Sequence, residues 1–582
     1  MRTQDQLPQY LKTYTIEHDT SKYTSRDHAA WRYIMQQALP FFRDHAVKGY
    51  EEGLAATGIP LDRIPHIDDM DAALQKFGWG AVPVCGFIPP WAFLEFQARK
   101  ILPIATDMRS VNHISYTPAP DIVHEAAGHA PILPDEDYNA YLAYYAKLGT
   151  KAIYSDQDLS LYEAVRYLSD IKEKPDSSAE DIADAERRLS AAVSSFSYVS
   201  EATRVGRMSW WTAEYGLTGD PKLPKIFGAG LLSSIGESLT AVTDKVQKVP
   251  LSVDCTNQSF NITEPQPQLF VAEDMKHLHD VLSHLDDELS YRKGGNYGLN
   301  KALLSRAVTT TNLDSGLQVS GKLTSYEKDD HGNCCFVKYD GPVQLCHGDN
   351  ELKDQGVKRH PEGFSAPLGR FQKFQDTPVA KLKEEHLTSL GLSAKEKVKL
   401  KMTTGFLIEA TYESCIRSGS NIVLMTFSDC RITKDGKLYY DPEWGIFDLA
   451  VGERVVGVAG GPADREKYGE HEIPQTETSP GRTNPYSPEE KDLFALYADL
   501  RELRESDAGK TQKREKLSQL AKKVSQDFSD EWLIGLEIFD LAKSKLEFDP
   551  EDDQAIANIA ERLQERADEE AIARGLSMIG NR

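Results

Sequence analysis

The hydrophobic pattern of this chain of 582 residues changes twice, and each change marks a different kind of secondary structure. Over residues 1–295 the apolar residues recur mostly at helical spacing, as in TSRDHAAWRYIMQQALPFF, where Thr24 or Ser25 can serve as the N-cap. Strand-like runs alternate with turn residues over 300–480, and residues 486–582 return to helical spacing. The pattern therefore predicts an α+β multidomain protein with a mainly helical domain, a β-rich domain and a helical C-terminal tail.

Short local signals support the two later parts. In the β-rich part, Asp435-Gly436 predicts a hairpin, and a turn at residues 330–333 separates the strand-like runs GLQVSGKL and CCFVKYDGPVQL. In the tail, Ser487 precedes a first-turn proline and two glutamates, which is typical of a helix N-terminus. A leucine stripe there predicts a buried face, packed either within the chain, which is the simpler expectation, or against another subunit. It consists of Leu493, Leu496, Leu500 and Leu503.

Composition excludes several classes of partner. The chain has 90 acidic and 67 basic residues, and its formal net charge of -23 opposes nonspecific binding to nucleic acid or to an anionic membrane. Neither a secretory signal nor an apolar run long enough to span a membrane stands out. The seven cysteines are odd in number and scattered, so no disulfide framework is expected. We expect a soluble cytoplasmic protein.

The segment YTPAPDIVHEAAGHAPIL, residues 116–133, holds two histidines with a glutamate beside the first. His124 and His129 are five residues apart, whereas the zinc protease motif H-E-x-x-H spaces its histidines four apart. On an ideal helix a spacing of five separates two side chains by about 140°, against about 40° for a spacing of four. Joint metal binding therefore requires a helix end or a local distortion, which Gly128 and Pro131 could provide. Taken alone, such a pair is more often structural than metal-binding.

The surrounding sequence points to a metal site. The segment resembles the iron-binding signature of the tetrahydropterin-dependent aromatic amino acid hydroxylases, which has Tyr-Thr-Pro-x-Pro-Asp, then His-Glu, then Gly-His-x-Pro. The resemblance continues in VPVCGFIPPWAFLEFQARKILPIATDMR before this segment and in WWTAEYGL, FGAGLLSSIGE and ITEPQPQLFVAE after it. It covers roughly residues 75–280. The five blocks occur in the family's order, so the resemblance implies that residues 1–295 form an aromatic amino acid hydroxylase catalytic domain.

The resemblance assigns a role to each site residue. Fe(II) would be held by His124, His129 and Glu214, a two-histidine, one-carboxylate set that leaves coordination positions open. The reduced pterin, tetrahydrobiopterin or a relative, would contact Phe93, Gly86, Ile88 and Glu125. The amino acid substrate would contact Arg109, Thr117, Trp210, Gly230 and Ser233, and Asp121 would orient Arg109. A guanidinium suits a carboxylate, and an aromatic ring suits a flat pteridine.

The resemblance therefore implies an iron- and tetrahydropterin-dependent monooxygenase that uses O2 to hydroxylate the ring of a free aromatic amino acid. L-phenylalanine converted to L-tyrosine is the favoured reaction, by analogy with bacterial members that have no animal-type regulatory domain. Tryptophan or tyrosine hydroxylation, or 3-hydroxylation of phenylalanine, are alternatives on the same site. A zinc metallohydrolase and a non-catalytic binding protein are the alternatives from other classes.

Two parts of the chain, the helical insertion and residues 300–582, have no counterpart in this resemblance. A pair of amphipathic helices, joined by the polar link KEKPDSSAED, forms a helical insertion at about 155–200 whose purpose the sequence does not reveal. The run GVAGG at 457–461 is glycine-rich, but no apolar helix follows it, so no dinucleotide site is expected. Residues 300–582 match no part of the family, and an interaction or oligomerisation role is the default expectation for them.

Overall fold

Helices dominate the chain up to residue 305. The structure, a computed structural model, describes residues 2–84, 86, 88–111, 114–115, 120–173, 177–261, 265–393, 395–469, 486–549 and 553–580. The α-helices of the first part are α1 Gln9–Lys12, α2 Ser25–His45, α3 Tyr50–Ala56, α4 Ile67–Leu74, α5 Pro90–Ala98, α6 Glu136–Gly149, α7 Asp156–Glu173, α8 Ala179–Ser194, α9 Glu201–Ser209, α10 Ala229–Leu232, α11 Ile235–Ala241, α12 Met275–Glu288, α13 Ser290–Lys293 and α14 Gly295–Ser305. Thr24 is the N-cap of α2, in a reciprocal capping box with Asp27. The two helices predicted for the insertion are α7 and α8.

Two small sheets lie among these helices. The strands are β1 Gly80–Val84, β2 Ile101–Ala105, β3 Leu217–Thr218, β4 Lys225–Ile226, β5 Gln247–Pro250 and β6 Gln268–Ala272. β1 and β2 pair in parallel and are joined through α5, as a parallel pair needs a crossover connection. The other four strands form a sheet in the order β4-β3-β6-β5.

The middle of the chain is a region of strands, as predicted. The strands are β7 Val308–Leu313, β8 Leu317–Lys328, β9 Cys334–His347, β10 Asn350–Glu351, β11 Gly363–Pro367, β12 Lys397–Lys401, β13 Leu407–Ser418, β14 Asn421–Lys434, β15 Lys437–Tyr440, β16 Phe447–Ala450 and β17 Val455–Gly460, with the short helices α15 Glu384–Ser389 and α16 Arg465–Tyr468. One sheet has the order β10-β9-β8-β7-β17 with β11 beside β9, and the other has β12-β13-β14-β15 with β16 beside β14. The predicted hairpin turn at Asp435-Gly436 joins β14 to β15, and both residues have a positive φ, of 51° and 77°.

Among the described residues, the tail contains five α-helices and a π-helical segment, Leu541–Lys545, and it packs on α2 of the first part of the chain. The α-helices are α17 Pro488–Glu505, α18 Lys510–Asp527, α19 Trp532–Asp540, α20 Gln554–Glu565 and α21 Glu570–Gly580. Ser487 caps α17 in a capping box with Glu490. The leucine stripe of α17 is buried in the same core as α2, so the expectation of packing within the chain is confirmed. None of the helices in the described ranges has the length and apolar character needed to cross a bilayer. The order of elements follows the three predicted parts, whose exact boundaries stay predictions.

A buried group of charged side chains joins the tail to α2. Arg32 donates through Nε to Oε1 of Glu537 at 2.9 Å, and Arg504 donates through Nη2 to Oε2 of the same carboxylate at 2.8 Å. Arg504 Nη1 also donates to Asp540 Oδ2 at 3.1 Å. The exposed fraction of each of these side chains is 5 or 6%. Since an unpaired buried charge is costly, the four side chains define how the tail sits on the first part of the chain.

We expect Glu537→Ala to lower the free energy of unfolding by about 3–5 kcal/mol, because Arg32 and Arg504 lose the carboxylate that they share in the interior. Glu505→Ala is a matched control, since its ion pair with Arg501 lies on the surface of α17 and should contribute about 0.5 kcal/mol or less. Urea unfolding of both variants measures the difference. Equal losses in the two variants would show that the buried group does not hold the tail in place.

Candidate active site

A π-helical segment, Val123–His129, carries His124, Glu125 and His129. In a π-helix each N–H bonds five residues back, so residues five apart face nearly the same direction. The local distortion that the spacing required is therefore confirmed, and it lies in the hydrogen-bonding ladder of the helix itself.

Gly128 contributes to this segment through its small size. A Cβ atom at Gly128 would lie 2.7 Å from the carbonyl oxygen of Ala229, so only glycine lets the π-helical segment pack this closely on α10. Pro131 lies in the short 3₁₀ turn Ala130–Ile132 that follows. The close contact with α10 also brings Ser233 against His124.

Glu214 approaches the same point from a second π-helical segment, Trp210–Glu214, which follows α9 directly. His124 Nε2 lies 3.2 Å from Glu214 Oε2, His129 Nε2 lies 3.3 Å from Glu214 Oε1, and the two Nε2 atoms are 3.2 Å apart. Among the described residues, these three form the one group of histidine, cysteine and acidic side chains whose donor atoms converge as metal ligands do. The structure therefore brings together the three residues that the sequence predicts as ligands.

The pKa values of the two carboxyl groups at this point, Glu214 and Glu125, are shifted in opposite directions. Desolvation would raise the pKa of Glu214, but the imidazoles of His129 and His124 outweigh it and hold the pKa well below its ordinary value. Desolvation raises the pKa of Glu125 to about 8; His129 opposes this shift, while Glu214 and Asp121 add to it. Glu125 is 4% exposed, and its Oε2 has no hydrogen-bond partner within the described ranges. Glu214 therefore offers a charged carboxylate to a cation, while Glu125 adjoins the site with an Oε2 atom that has no partner within the described ranges.

Ser233 defines which nitrogen of His124 faces the cluster. Its hydroxyl donates to the carbonyl oxygen of Ala229 at 2.8 Å, so Oγ accepts from Nδ1–H of His124 at 3.1 Å. A proton on Nδ1 leaves the lone pair on Nε2, the atom that faces His129 and Glu214. Sequence comparison with the family suggested only that Ser233 lines the amino acid site, so this contact with the histidine was missed.

Arg109 and Asp121 form a buried bidentate pair beneath the histidines. Arg109 donates through Nε and Nη2 to the two oxygens of Asp121, both at 2.8 Å, and through Nη1 to the Ser233 carbonyl oxygen at 2.9 Å. Asp121 also accepts from the His124 backbone N–H at 3.0 Å. Desolvation would raise the pKa of Asp121, but Arg109 outweighs it and lowers the pKa. A closed ring of hydrogen bonds therefore connects the guanidinium to His124.

A cavity of about 2340 Å³ opens onto this cluster. Its walls include most of the residues predicted to contact metal, pterin or amino acid, namely Gly86, Ile88, Phe93, Arg109, His124, Glu125, Trp210, Glu214, Gly230 and Ser233. Thr117 lies outside the described residues. The N–H of Gly86 donates to Asp107 Oδ2 at 3.2 Å. A Cβ at Gly230 would lie 2.8 Å from the Tyr215 ring, so a larger residue there would displace that ring.

Trp210 lies in an aromatic stack that the sequence did not reveal. Its ring stacks on Phe260, with centroids 4.1 Å apart and planes at 7°, and on Tyr215, with centroids 4.5 Å apart. Phe260 also lines the cavity. No local motif marks Phe260, because it approaches Trp210 only through the long-range packing of the chain.

Segments outside the site motifs also form the cavity wall. Leu159, Tyr162 and Val165 of α7 face the cavity, and so does Arg465 of α16 in the β-rich region. The volume is more than twice the about 1,000 Å³ of large ligand pockets. The amphipathic pattern of the insertion indicated an apolar face, but the sequence did not indicate that this face borders the active-site cavity.

The chain matches a family model and is similar to several known proteins. Residues 4–160 and 181–297 match the family model for biopterin-dependent aromatic amino acid hydroxylases, and the interruption falls within the predicted insertion. The phenylalanine-4-hydroxylase of Pseudomonas aeruginosa is 26% identical over 275 residues, which is 47% of this chain and 88% of that protein. The phenylalanine-4-hydroxylase of Vibrio cholerae is 26% identical over 278 residues, 47% of this chain and 81% of that protein. A solved structure of the Chromobacterium violaceum phenylalanine hydroxylase has 24% identity and a TM-score of 0.38, with coverage of 47% and 85% of the two chains.

We expect Ser233→Ala to lower the affinity for a divalent first-row metal roughly 10–100-fold, because His124 loses the acceptor that orients its imidazole. Titration of the metal-free chain with Co(II), followed by absorption spectroscopy, measures the affinity. Ser234→Ala is the matched control, since its hydroxyl donates to the Ser115 carbonyl oxygen and does not contact the histidines. If Ser233→Ala binds Co(II) as tightly as Ser234→Ala does, Ser233 does not orient His124.

Proposed function

Since residues 4–160 and 181–297 make this chain a member of the biopterin-dependent aromatic amino acid hydroxylase family, a family of pterin-dependent monooxygenases, we propose that it converts L-phenylalanine to L-tyrosine with O2. The convergence of His124, His129 and Glu214 in the cavity is the observation that carries the proposal. The family match argues against the alternatives of a zinc metallohydrolase and a non-catalytic binding protein. Relatives that carry the name phenylalanine-4-hydroxylase support phenylalanine as the substrate.

Iron fits the donor set of the site. Two imidazole nitrogens and one carboxylate, with positions left open for other ligands, are the donor set of non-haem Fe(II) oxygenases. Ser233 occupies Nδ1 of His124, which leaves Nε2 as the atom that faces a metal, and Glu214, whose pKa is held low, offers a charged carboxylate. Ordered by the protein in this way, Fe(II) and tetrahydrobiopterin would together supply oxygen activation and the electrons for the hydroxylation.

The pterin fits the side of the cavity formed by α5. Phe93 presents a flat apolar ring, which suits a pteridine, and Ile88 adds an apolar contact beside it. Gly86 has a φ of 60°, a conformation that glycine adopts easily and that lets the backbone approach a flat ligand closely. Glu125 would hydrogen-bond the pterin or a water molecule through its free Oε2.

The amino acid fits the part of the cavity beside Arg109. Asp121 holds the guanidinium in one orientation, and the remaining N–H groups of Arg109 would bind the carboxylate of the substrate. Trp210 and its stacked partners offer an apolar wall to the aromatic ring of the substrate. Because binding fixes the ring beside the metal ligands, these residues would contribute mainly through proximity and orientation.

We propose the cytoplasm as the compartment. Six cysteines in the described ranges are free thiols, as a reducing compartment would keep them: Cys255, Cys334, Cys335, Cys346, Cys415 and Cys430. The tail would serve mainly the stability of the chain, since its leucine stripe is buried internally.

Product identification tests the reaction. We expect the full chain, supplied with Fe(II), tetrahydrobiopterin and O2, to convert L-phenylalanine to L-tyrosine, as measured by chromatography and mass spectrometry. L-tyrosine and L-tryptophan, offered separately, should react more slowly. Faster hydroxylation of either one, or 3-hydroxyphenylalanine as the product, would contradict phenylalanine 4-hydroxylation.

Replacing a ligand tests the metal site. We expect His124→Ala and Glu214→Ala to abolish iron binding and turnover together, because two remaining ligands hold the ion too weakly. His277→Ala serves as a control, since His277 lies on α12 and is not part of the cluster. Iron content is measured by mass spectrometry of the purified chains. Full turnover in either ligand variant, or in the iron-free wild type, would contradict the assignment.

Replacing Arg109 tests the substrate side. We expect Arg109→Lys to raise the KM for phenylalanine at least about tenfold, because lysine cannot keep the two bonds to Asp121 and also bind a carboxylate bidentately. The KM for tetrahydrobiopterin should change much less. Steady-state kinetics with each substrate varied in turn separates the two. An unchanged KM for phenylalanine would exclude Arg109 as its carboxylate ligand.

A further inference from the structure

The β-rich region is docked on the catalytic half of the chain through β17, the strand that contains most of the GVAGG run. Gly460 donates through its N–H to the Lys151 carbonyl oxygen at 3.0 Å. A Cβ at Gly460 would lie 2.0 Å from the Ala152 carbonyl oxygen, and one at Gly457 would lie 2.4 Å from the Tyr291 carbonyl oxygen. Only glycine permits this approach of two backbones, so the run serves to place β17 directly against the catalytic half.

The segment after β17 is held firmly to its own sheet. Asp464, the N-cap of α16, accepts from the Glu351 N–H at 2.9 Å, and Ala463 N–H donates to Ser320 Oγ at 3.0 Å. Tyr468 is 1% exposed and donates to the Pro342 carbonyl oxygen at 2.8 Å. The side chain of Arg465, at the start of α16, therefore projects from a rigid support.

Arg465 reaches across to α5, the helix that carries Phe93. Its Nε donates to Glu95 Oε1 at 3.1 Å, and its guanidinium carbon lies 5.1 Å from the centroid of the Trp91 ring. The exposed fractions of the Arg465 and Glu95 side chains are 18% and 15%, so solvent screens the ion pair only partly. Tyr10 donates to the other oxygen of Glu95 at 3.3 Å. The first turns of α5 are thus in direct contact with a side chain of the β-rich region, that of Arg465.

We propose that Arg465 is a positioning residue for the pterin side of the active site, acting through Glu95 and Trp91 on the placement of α5. The proposal rests on the proposed function, because it takes Phe93 of α5 as the platform for the pterin. Trp91 and Phe93 both line the cavity, and both pack against the apolar cluster that includes Ile88 and Phe96. A shift of α5 would therefore move the pterin contacts, while Arg109 and Asp121, on the substrate side, keep their own bonds.

The test measures pterin binding directly in the full chain. With 7,8-dihydrobiopterin as the probe, calorimetry should give a dissociation constant about tenfold higher for Arg465→Ala than for the wild type, an effect of about 1.4 kcal/mol. In turnover assays the KM for tetrahydrobiopterin should rise similarly, while the KM for phenylalanine stays within about twofold. Arg465→Lys should restore part of the affinity, since it keeps the charge but loses the planar fork.

Two further variants make the outcome specific. Glu95→Gln breaks the same ion pair from the catalytic side with a side chain of equal size, and should reproduce the weaker pterin binding even where Arg465→Ala does not fold. Arg454→Ala is the matched control, because Arg454 lies just before β17 and pairs on the surface with Asp314. It should bind the probe as the wild type does.

Binding of dihydrobiopterin by the wild type and the variants separates a failure of the positioning role from a failure of the proposed function. If wild type binds dihydrobiopterin and Glu95→Gln or a folded Arg465→Ala binds it equally well, the positioning role is overturned while the proposed function stands. The same conclusion follows if the KM values for pterin and phenylalanine rise in parallel with a lower melting temperature, since that would indicate general destabilisation. A wild-type chain that binds no pterin overturns the proposed function and the positioning role together.

Discussion

The need to aim two histidines, five residues apart, at one point governs the construction of this site. An α-helix would separate them by about 140°, and the π-helical segment Val123–His129 brings them onto one side of the helix. A π-helical turn is rare and has to be stabilised by its surroundings, which here include the tight contact of Gly128 with Ala229. The same contact places Ser233 against His124, so the position of His124 and its supporting hydrogen bond depend on one packing arrangement.

Charge in the site is arranged around this geometry. The two imidazoles hold the pKa of Glu214 low, while Glu125, next to His124 in the chain, has a raised pKa because it is buried. Arg109 pairs with the buried carboxylate of Asp121. The same carboxylate accepts a hydrogen bond from the backbone N–H of His124, so it connects Arg109 to His124. A change at Arg109 would therefore also affect the support of His124.

The sequence allowed much of this to be predicted, and what it could not reveal depends on long-range packing. The signature around His124 and His129 predicted both histidines as metal ligands, and their spacing required a distortion, because both signals lie in residues close together in the chain. Ser233 as partner of His124, and Phe260 as partner of Trp210, involve contacts between distant segments. The sequence also did not reveal that the GVAGG glycines place β17 against the backbone of a distant segment, since such a close approach of two backbones leaves no local signature.

The location of the metal in the iron-loaded full chain tests the proposed metal site most directly. Anomalous scattering at the iron edge should give one strong peak, about 2.0–2.3 Å from Nε2 of His124, Nε2 of His129 and a carboxylate oxygen of Glu214. The flanking segments should remain π-helical with the metal bound. Iron bound by other residues, or no iron at these three side chains in a folded and active chain, would contradict the proposed metal site.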